Sequence, residues 1–343
     1  MSPADDLDLA RIREWFAEDV TFMLGNATVT AAFAAVPREL FLAKGPWLVQ
    51  NRHTSPDYVA TPDANPRHLY HDHHVAIDAS GFINSGGPGF TAFLLGLLEV
   101  QPGETVVYLG IGCGYYAAIL GELVGPGGKV IAIEVDPQRA AQAGKALAPW
   151  TQVSVRCFNG ATEPLEPCDV LIAGAAVTHP PSSWLEALPI GGRMVFPLMG
   201  TTAGEPYGTA AVLYAHRVSE LSFAVRPLCL AAYLECVGAR DAGLAELIDE
   251  ALAQDGGATT ASLRLDSHPQ DPSCWLHSED PANPFCLSRL AGGQLHHDHP
   301  AGRSSEDSLY RIDDAADHGV GLELPPFSQL NVRPYGHPAR RSR

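Results

Sequence analysis

Three glycines at alternate positions, Gly110, Gly112 and Gly114, separate the apolar run TVVYL from the helix-forming run YYAAIL. Side chains at such a turn would hold a ligand away from main-chain NH groups. A strand, a bare turn and a helix N-terminus therefore suit a ligand that lies directly on backbone. By itself G-x-G-x-G fits a dinucleotide, S-adenosylmethionine (SAM), or a tight turn with no ligand. The next strand-like run, KVIAIEV, contains Glu134 at its end. A carboxylate there, roughly 20 residues beyond the turn, can accept hydrogen bonds from both hydroxyls of a ribose. Asp136, directly before Pro137, suits a helix N-cap with proline at the first helical position, which leaves Glu134 for the sugar. The run QVSVRCF leads to Asn159-Gly160, where an amide side chain can meet an adenine edge and where Asn-Gly also makes a common turn.

Other residue types with chemical potential are histidines and cysteines. His179, in AAVTHPP, follows the fourth core strand. An imidazole there can accept a proton near neutral pH or simply cap the next helix. His71, Asp72, His73 and His74 alternate in direction along an extended segment and cannot all reach one ion. Asp72 is expected to act as an acceptor positioning a lid, with one histidine facing the pocket. The HHDH run from His296 to His299 has loop surroundings and is expected to be solvated. Seven cysteines with no C-x-x-C pair indicate neither a disulfide framework nor a zinc knuckle, so reduced and mostly buried thiols are expected, with no metal.

The elements that must position these residues alternate from Thr105 onward as strand, helix, strand. That rhythm predicts a mainly parallel sheet covered on both faces, with ligands at the carboxyl ends of the strands. Before it, residues from about 7 to 42 read as helices, and Pro88 opens another. After Arg240 the sequence predicts one helix, LAELIDEALAQ, a short strand, SLRL, and a loop, CWLHSEDPANPFCLS, packed on the main domain. Beyond about residue 291 the composition is that of loops. The formal net charge of -17 repels a nucleic-acid backbone, and the basic end RPYGHPARRSR is expected to be a solvated terminus. No apolar run approaches the ~18 residues of a membrane span, and the acidic start lacks a signal-peptide core, so residence in the cytoplasm is expected.

Taken as a set, these runs resemble the protein-L-isoaspartate O-methyltransferase family of SAM-dependent methyltransferases. VPRELFL is similar to its VPR-x-x-F segment and YHD to its Tyr-x-Asp. QPGETVVYLGIGCGYYAAILGELVG resembles its glycine-rich motif with the trailing aromatic, Tyr115, and GKVIAIEVD, CDVLIAGAAVTHPP and LPIGGRMVFPLMG its later strands. The resemblance covers about residues 28 to 200. It implies an α/β doubly wound, Rossmann-like sheet of the class I methyltransferase type, with an N-terminal helical lid and a C-terminal extension. The expected regions are 1–80, 81–240 and 241–343. It also implies an adenosyl site on Gly110, Gly112, Gly114 and Tyr115, with Glu134 on the ribose and Asn159 and Gly160 beside the adenine. NAD is the alternative cofactor, disfavoured because the G-x-G-x-x-G spacing is missing.

Departures from the family bear on chemistry. Tyr108 stands where an acidic residue usually orients the methionine amine, and Asn159 where the family has Asp. The T-I-S-x-P segment is replaced by Phe82-Ile83-Asn84-Ser85-Gly86-Gly87-Pro88, so the serine position falls on Asn84 or Ser85. The expectation is a SAM-dependent methyltransferase acting on a carboxylate or similar acceptor of a small molecule or peptide, in specialised metabolism. Asn84, Ser85, Asp72, Tyr108 and His179 are its candidate catalytic residues. Two rivals remain open: a SAM cyclase that forms a small-ring amino acid and methylthioadenosine, and a non-catalytic SAM-binding protein.

Overall fold

A buried-residue pattern with no exposed face marks the centre of the molecule: the strand from Val170 to Ala173 is buried at every position, and that from Lys129 to Glu134 at all but its first. Such strands need layers on both sides. The computed structural model describes residues 3–51, 57–78, 83–202, 204–205, 207–255, 257, 259–278 and 284–289. Phe82, the boundary near residue 80, the HHDH run and the basic terminal run lie outside the described residues.

Two helices open the chain, α1 (Pro3–Thr21) and α2 (Ala27–Ala35). Asn26 caps α2 by accepting from Thr28 N and Val29 N, and the helix stops at Val36, before Pro37. Three short strands, β1 (Leu48–Gln50), β2 (Val59–Ala60) and β3 (His74–Val75), form a small antiparallel sheet in the order β2-β1-β3. Then follow α3 (Pro88–Leu98), β4 (Thr105–Leu109), α4 (Tyr115–Val124), β5 (Lys129–Glu134), α5 (Pro137–Ala146), β6 (Val153–Cys157), β7 (Val170–Ala173), α6 (Ser182–Ala187), β8 (Arg193–Met199), β9 (Tyr207–Ser219) and β10 (Ser222–Leu234). The described chain ends with α7 (Ala242–Asp255), β11 (Thr260–Arg264), β12 (Cys274–His277) and β13 (Cys286–Arg289).

The ten-stranded sheet runs β12-β13-β11-β10-β9-β8-β7-β4-β5-β6. Its β6-β5-β4-β7-β8 half is parallel, as the alternating helices require. The expectation of a mainly parallel sheet is corrected for the other half, where every pairing from β8 to β12 is antiparallel. Only Glu220 and Leu221 separate β9 from β10, far too few residues for a crossover helix, so a hairpin is the available connection. The segment CWLHSEDPANPFCLS, expected as a loop, instead contributes β12 and β13. Because β11 pairs with β10 and α7 packs on β8 and β12, the sheet continues without interruption across residue 240.

One core lies under α1 to α4, with Phe33, Leu95, Ile119 and Leu120 buried; the other, on the opposite face, holds Leu171, Trp184, Phe196 and Phe223. At the end of β6 the two requirements of packing and turning meet. A Cβ on Gly160 would stand 2.2 Å from Leu109 Cδ2, while the Gly160 carbonyl accepts from Trp184 Nε1 at 2.8 Å. Gly160→Ala is expected to destabilise the fold by about 1–3 kcal/mol through overpacking. In urea unfolding this is a lower midpoint with an unchanged m value, and an unchanged midpoint would show that Leu109 yields freely.

Candidate active site

The glycine turn sits at the carboxyl ends of β4, β5 and β7. Gly110, Gly112 and Gly114 adopt φ of +72°, +56° and +89°, a region that disfavours side chains. Gly110 N donates to Ile133 O and Gly174 N to Leu109 O, both at 2.8 Å. A Cβ on Gly174 would meet Gly110 O at 2.8 Å, so two bare stretches of backbone lie side by side. A Cβ on Gly112 would approach only Ile77 Cδ1, at 3.4 Å, which places Ile77 over the turn.

Glu134 is 4% exposed. Its Oε2 accepts from Gly112 N at 3.0 Å and its Oε1 from Asp136 N at 3.1 Å, with Arg139 Nη2 3.5 Å away. Asp136 caps α5, accepting from Gln138 N and Arg139 N at 2.9 Å. Asp136 thus serves the helix as the sequence predicts, whereas Glu134, expected to be left for the sugar, has both oxygens accepting backbone NH groups at the turn. Asn159 Oδ1 is committed to its own turn, accepting from Ala161 N at 3.0 Å. Its amide nitrogen and the Gly160 NH are the groups that this turn does not use.

Above the turn, one cation organises the N-terminal region. Arg38 is fully buried. Its Nη1 donates to Leu69 O at 2.7 Å and His71 O at 3.1 Å, and its Nη2 to His73 O at 2.7 Å and Ser85 Oγ at 2.9 Å. The guanidinium lies over the rings of Tyr115 and Phe16 at 5.7 and 5.9 Å. Tyr70 accepts from Arg38 N and donates to Glu39. The sequence reading used VPRELFL only for resemblance and missed this role. A signal was present, since an arginine between Pro37 and an apolar run has little chance of a fully solvated face.

Ser85 is thereby locked, its hydroxyl oxygen also accepting from Val75 N at 3.1 Å. Asn84 pairs with Ala76 in a β-bridge, and its Oδ1 accepts from Gly86 N at 2.9 Å. Asp72 Oδ1 accepts from Gly89 N at 2.9 Å in the first turn of α3, the acceptor role expected of it. Tyr116, not singled out from the sequence, donates from its hydroxyl to Gly86 O at 3.3 Å and so ties α4 to this segment.

The structure separates the remaining candidates. Tyr115 is in the core, packed against Phe33 and Phe41 as well as Arg38. Burial above all, with smaller contributions from Tyr116, Tyr233, Cys113 and Glu134, raises the Tyr108 pKa far beyond the ordinary phenol range. The phenol is a hydrogen-bond donor at neutral pH, not a base. His179 turns toward the C-terminal extension. Its ring stacks on Phe285 at 5.7 Å, and Nδ1 lies 3.1 Å from Thr178 Oγ1. Burial pushes its pKa down, opposed by Asp241 and helped by Arg240. Among the described contacts none joins His179 to the glycine turn or to the Arg38 segment.

Comparison with known proteins identifies the family and the fold. The sequence model of the protein-L-isoaspartate(D-aspartate) O-methyltransferase (PCMT) family matches residues 21–205. The chain is 33% identical over 175 residues to protein-L-isoaspartate O-methyltransferase 1 of Archaeoglobus fulgidus, covering 50% of this chain and 71% of that one. To the Ignicoccus hospitalis protein-L-isoaspartate O-methyltransferase it is 33% identical over 175 residues, covering 50% and 72%. A solved protein-L-isoaspartate O-methyltransferase superposes with a TM-score of 0.52 at 19% identity, covering 69% of this chain and 68% of that one. A Plasmodium falciparum structure of the same description, in complex with S-adenosyl-L-homocysteine, gives 0.51 at 14%, covering 65% and 97%. These two show the shared fold. SAM is accordingly the cofactor, and the residues fit it: bare backbone at Gly110, Gly112 and Gly174, and a buried carboxylate, Glu134, at the neighbouring strand end.

Two substitutions test this arrangement. Glu134→Gln is expected to weaken SAM by about 1.5–3 kcal/mol, the range for a hydrogen bond to a charged group, and also to lower the unfolding midpoint, because an amide NH2 cannot accept from the backbone NH that one carboxylate oxygen now meets. Calorimetric titration reads it, and unchanged affinity would move the ribose elsewhere. Arg38→Lys is expected to speed amide exchange across residues 69–75 and to lower turnover, because an ammonium cannot reproduce the planar fork that holds these oxygens. Exchange equal to that of the parent would remove Arg38 from its organising role.

Proposed function

Because the chain belongs to the protein-L-isoaspartate(D-aspartate) O-methyltransferase family, we propose that it methylates a carboxylate oxygen on a peptide acceptor entering beneath the segment at Asn84. One observation carries this reading over its rivals: of the described residues considered as bases, neither Tyr108 nor His179 is placed to take a proton from SAM. Tyr108 stays protonated, and His179 faces Phe285. A carboxylate is already ionised near neutral pH and attacks without losing a proton, whereas ring closure of SAM needs its amine or α-carbon deprotonated.

When bound, SAM supplies a methyl group on a sulfonium, and transfer of that methyl to the acceptor oxygen leaves S-adenosylhomocysteine. The chain's part is alignment and exclusion of water. Glu134 and the turn hold the adenosyl end. Arg38, through Ser85 and the carbonyls of residues 69, 71 and 73, sets the position of the segment that closes the site. The phenol rings of Tyr108, Tyr116 and Tyr233 give the pocket faces that favour positive charge. The replacement of the family's serine segment by Asn84-Ser85-Gly86-Gly87-Pro88, and the added strands beyond residue 240, support a dedicated substrate of specialised metabolism in place of general isoaspartyl repair. No described helix is long and apolar enough to cross a membrane. Free thiols throughout the described chain support a cytoplasmic site of action.

Incubation with SAM alone is expected to give neither product, and S-adenosylhomocysteine is expected only with a carboxylate-bearing peptide, detected by mass spectrometry together with the methyl ester. Rapid enzyme-dependent methylthioadenosine from SAM alone would establish cyclisation instead. Asn84→Ala is expected to lower kcat far more than SAM affinity.

A further inference from the structure

The hairpin at the outer edge of the sheet brings together four side chains that the methyl-transfer site does not use. Alternation along a regular strand would send Cys274 and His277 to opposite faces. A bulge between Cys274 and Leu276 changes this: Cys274 pairs with Ser288, Leu276 with Leu287, and His277 with Cys286. Leu276 and Leu287 enter the core, while Cys274 and His277 share the other face with Cys286 and Ser288. His268 arrives from the connection between β11 and β12. One donor atom from each of His268, Cys274, His277 and Cys286 lies within 4.8 Å of all the others.

We propose that these four residues form a structural zinc site that fastens the C-terminal strands to the methyltransferase sheet. Two thiolates and two imidazoles are a donor set that zinc takes in tetrahedral, closed sites, with Zn–N of about 2.0–2.1 Å and Zn–S of about 2.3 Å. Those bond lengths place neighbouring donors roughly 3.3–3.8 Å apart. His268 Nε2 and Cys274 Sγ are 3.4 Å apart. His268 Nδ1 lies 2.9 Å from Asp266 O, so an NH donated there leaves the Nε2 lone pair directed at the cluster, the usual arrangement of a ligating histidine. His277 Nδ1 is buried with no hydrogen-bond partner. Ser288 Oγ stands 3.2 Å from Cys286 Sγ and 3.9 Å from Cys274 Sγ, placed to donate to thiolates. Two thiolates also cancel the ion's charge, so the centre is neutral where Cys274 and Cys286 are buried.

The site has a consequence for the rest of the molecule. Phe285, next to Cys286, is the ring on which His179 stacks at the end of β7. The ion would thus fix the rim of the extension against the parallel half of the sheet. A search for C-x-x-C pairs misses the cluster because Cys274 is paired in sequence with a histidine and its fellow cysteine comes from the next strand.

Metal content of the full-length protein, purified under reducing conditions without chelator, tests the proposal directly. About one zinc per chain is expected, lost in a Cys274→Ser/Cys286→Ser variant that still binds SAM. Should that variant fail to fold, cobalt added to the chelator-stripped parent gives an independent reading. Tetrahedral ligand-field bands with thiolate charge transfer are expected, together with zinc-dependent protection of Cys274 and Cys286 from alkylation and a fall in the unfolding midpoint on chelation. Failure to retain added zinc, retention unchanged in the folded variant, or a Cys274–Cys286 disulfide in the unreduced parent would overturn it.

Discussion

A single buried guanidinium governs how the N-terminal region meets the sheet. Arg38 has no exposure, and its side-chain hydrogen bonds go to four neutral oxygens, three of them backbone carbonyls of residues 69, 71 and 73, where a short helical turn leads into a bend. Arg38 Nε is buried with no hydrogen-bond partner, so the four bonds of its two Nη atoms, with the aromatic rings beside them, are what offset the burial of the charge. The geometry of residues 69–75 and of Ser85 is therefore not free to vary independently. Ile77 above Gly112, Asp72 at the start of α3 and Tyr116 on Gly86 all inherit their positions from it.

Beneath that segment the sheet divides its work. The parallel half supplies strand ends, and with them the glycine turn, Gly174 and Glu134. The antiparallel half supplies breadth, extending one hydrogen-bonded surface into the C-terminal strands. Its β9–β10 hairpin contributes Tyr233 to the pocket beside Tyr108, while the outer hairpin sends Phe285 to His179. The extension is thus tied to the parallel half of the sheet through His179 as well as through the core.

The departures from the family concentrate where the methionine end and the acceptor would lie. Where the resemblance leads one to expect an acidic group, this chain presents Tyr108, a phenol whose proton burial retains, among other phenols. Tyr108 lies among the phenols of Tyr116 and Tyr233, with the Glu134 carboxylate near enough to help hold its proton.

Much of this was legible in the residues alone. The β4-turn-α4 unit, the Asp136 cap, Pro88 at the first turn of α3 and the placement of Glu134 are local consequences of backbone preference and strand periodicity, and each appears where the sequence predicts it. The antiparallel half of the sheet was partly legible too, since two residues between long apolar runs allow only a hairpin. What the tertiary structure decided are matters of long-range pairing. Tyr115 and Tyr116 are adjacent and alike, and only the packing of α4 sends one into the core and the other to Gly86. His179 follows a strand end in sequence, yet stacks on a ring more than a hundred residues later. Ser85, Arg38 and the four-residue cluster around Cys274 exist as sites because distant segments converge, one of them through a bulge that reverses a face. Local pattern determines which way a residue starts from its own backbone; which partners it meets depends on contacts that no local pattern contains.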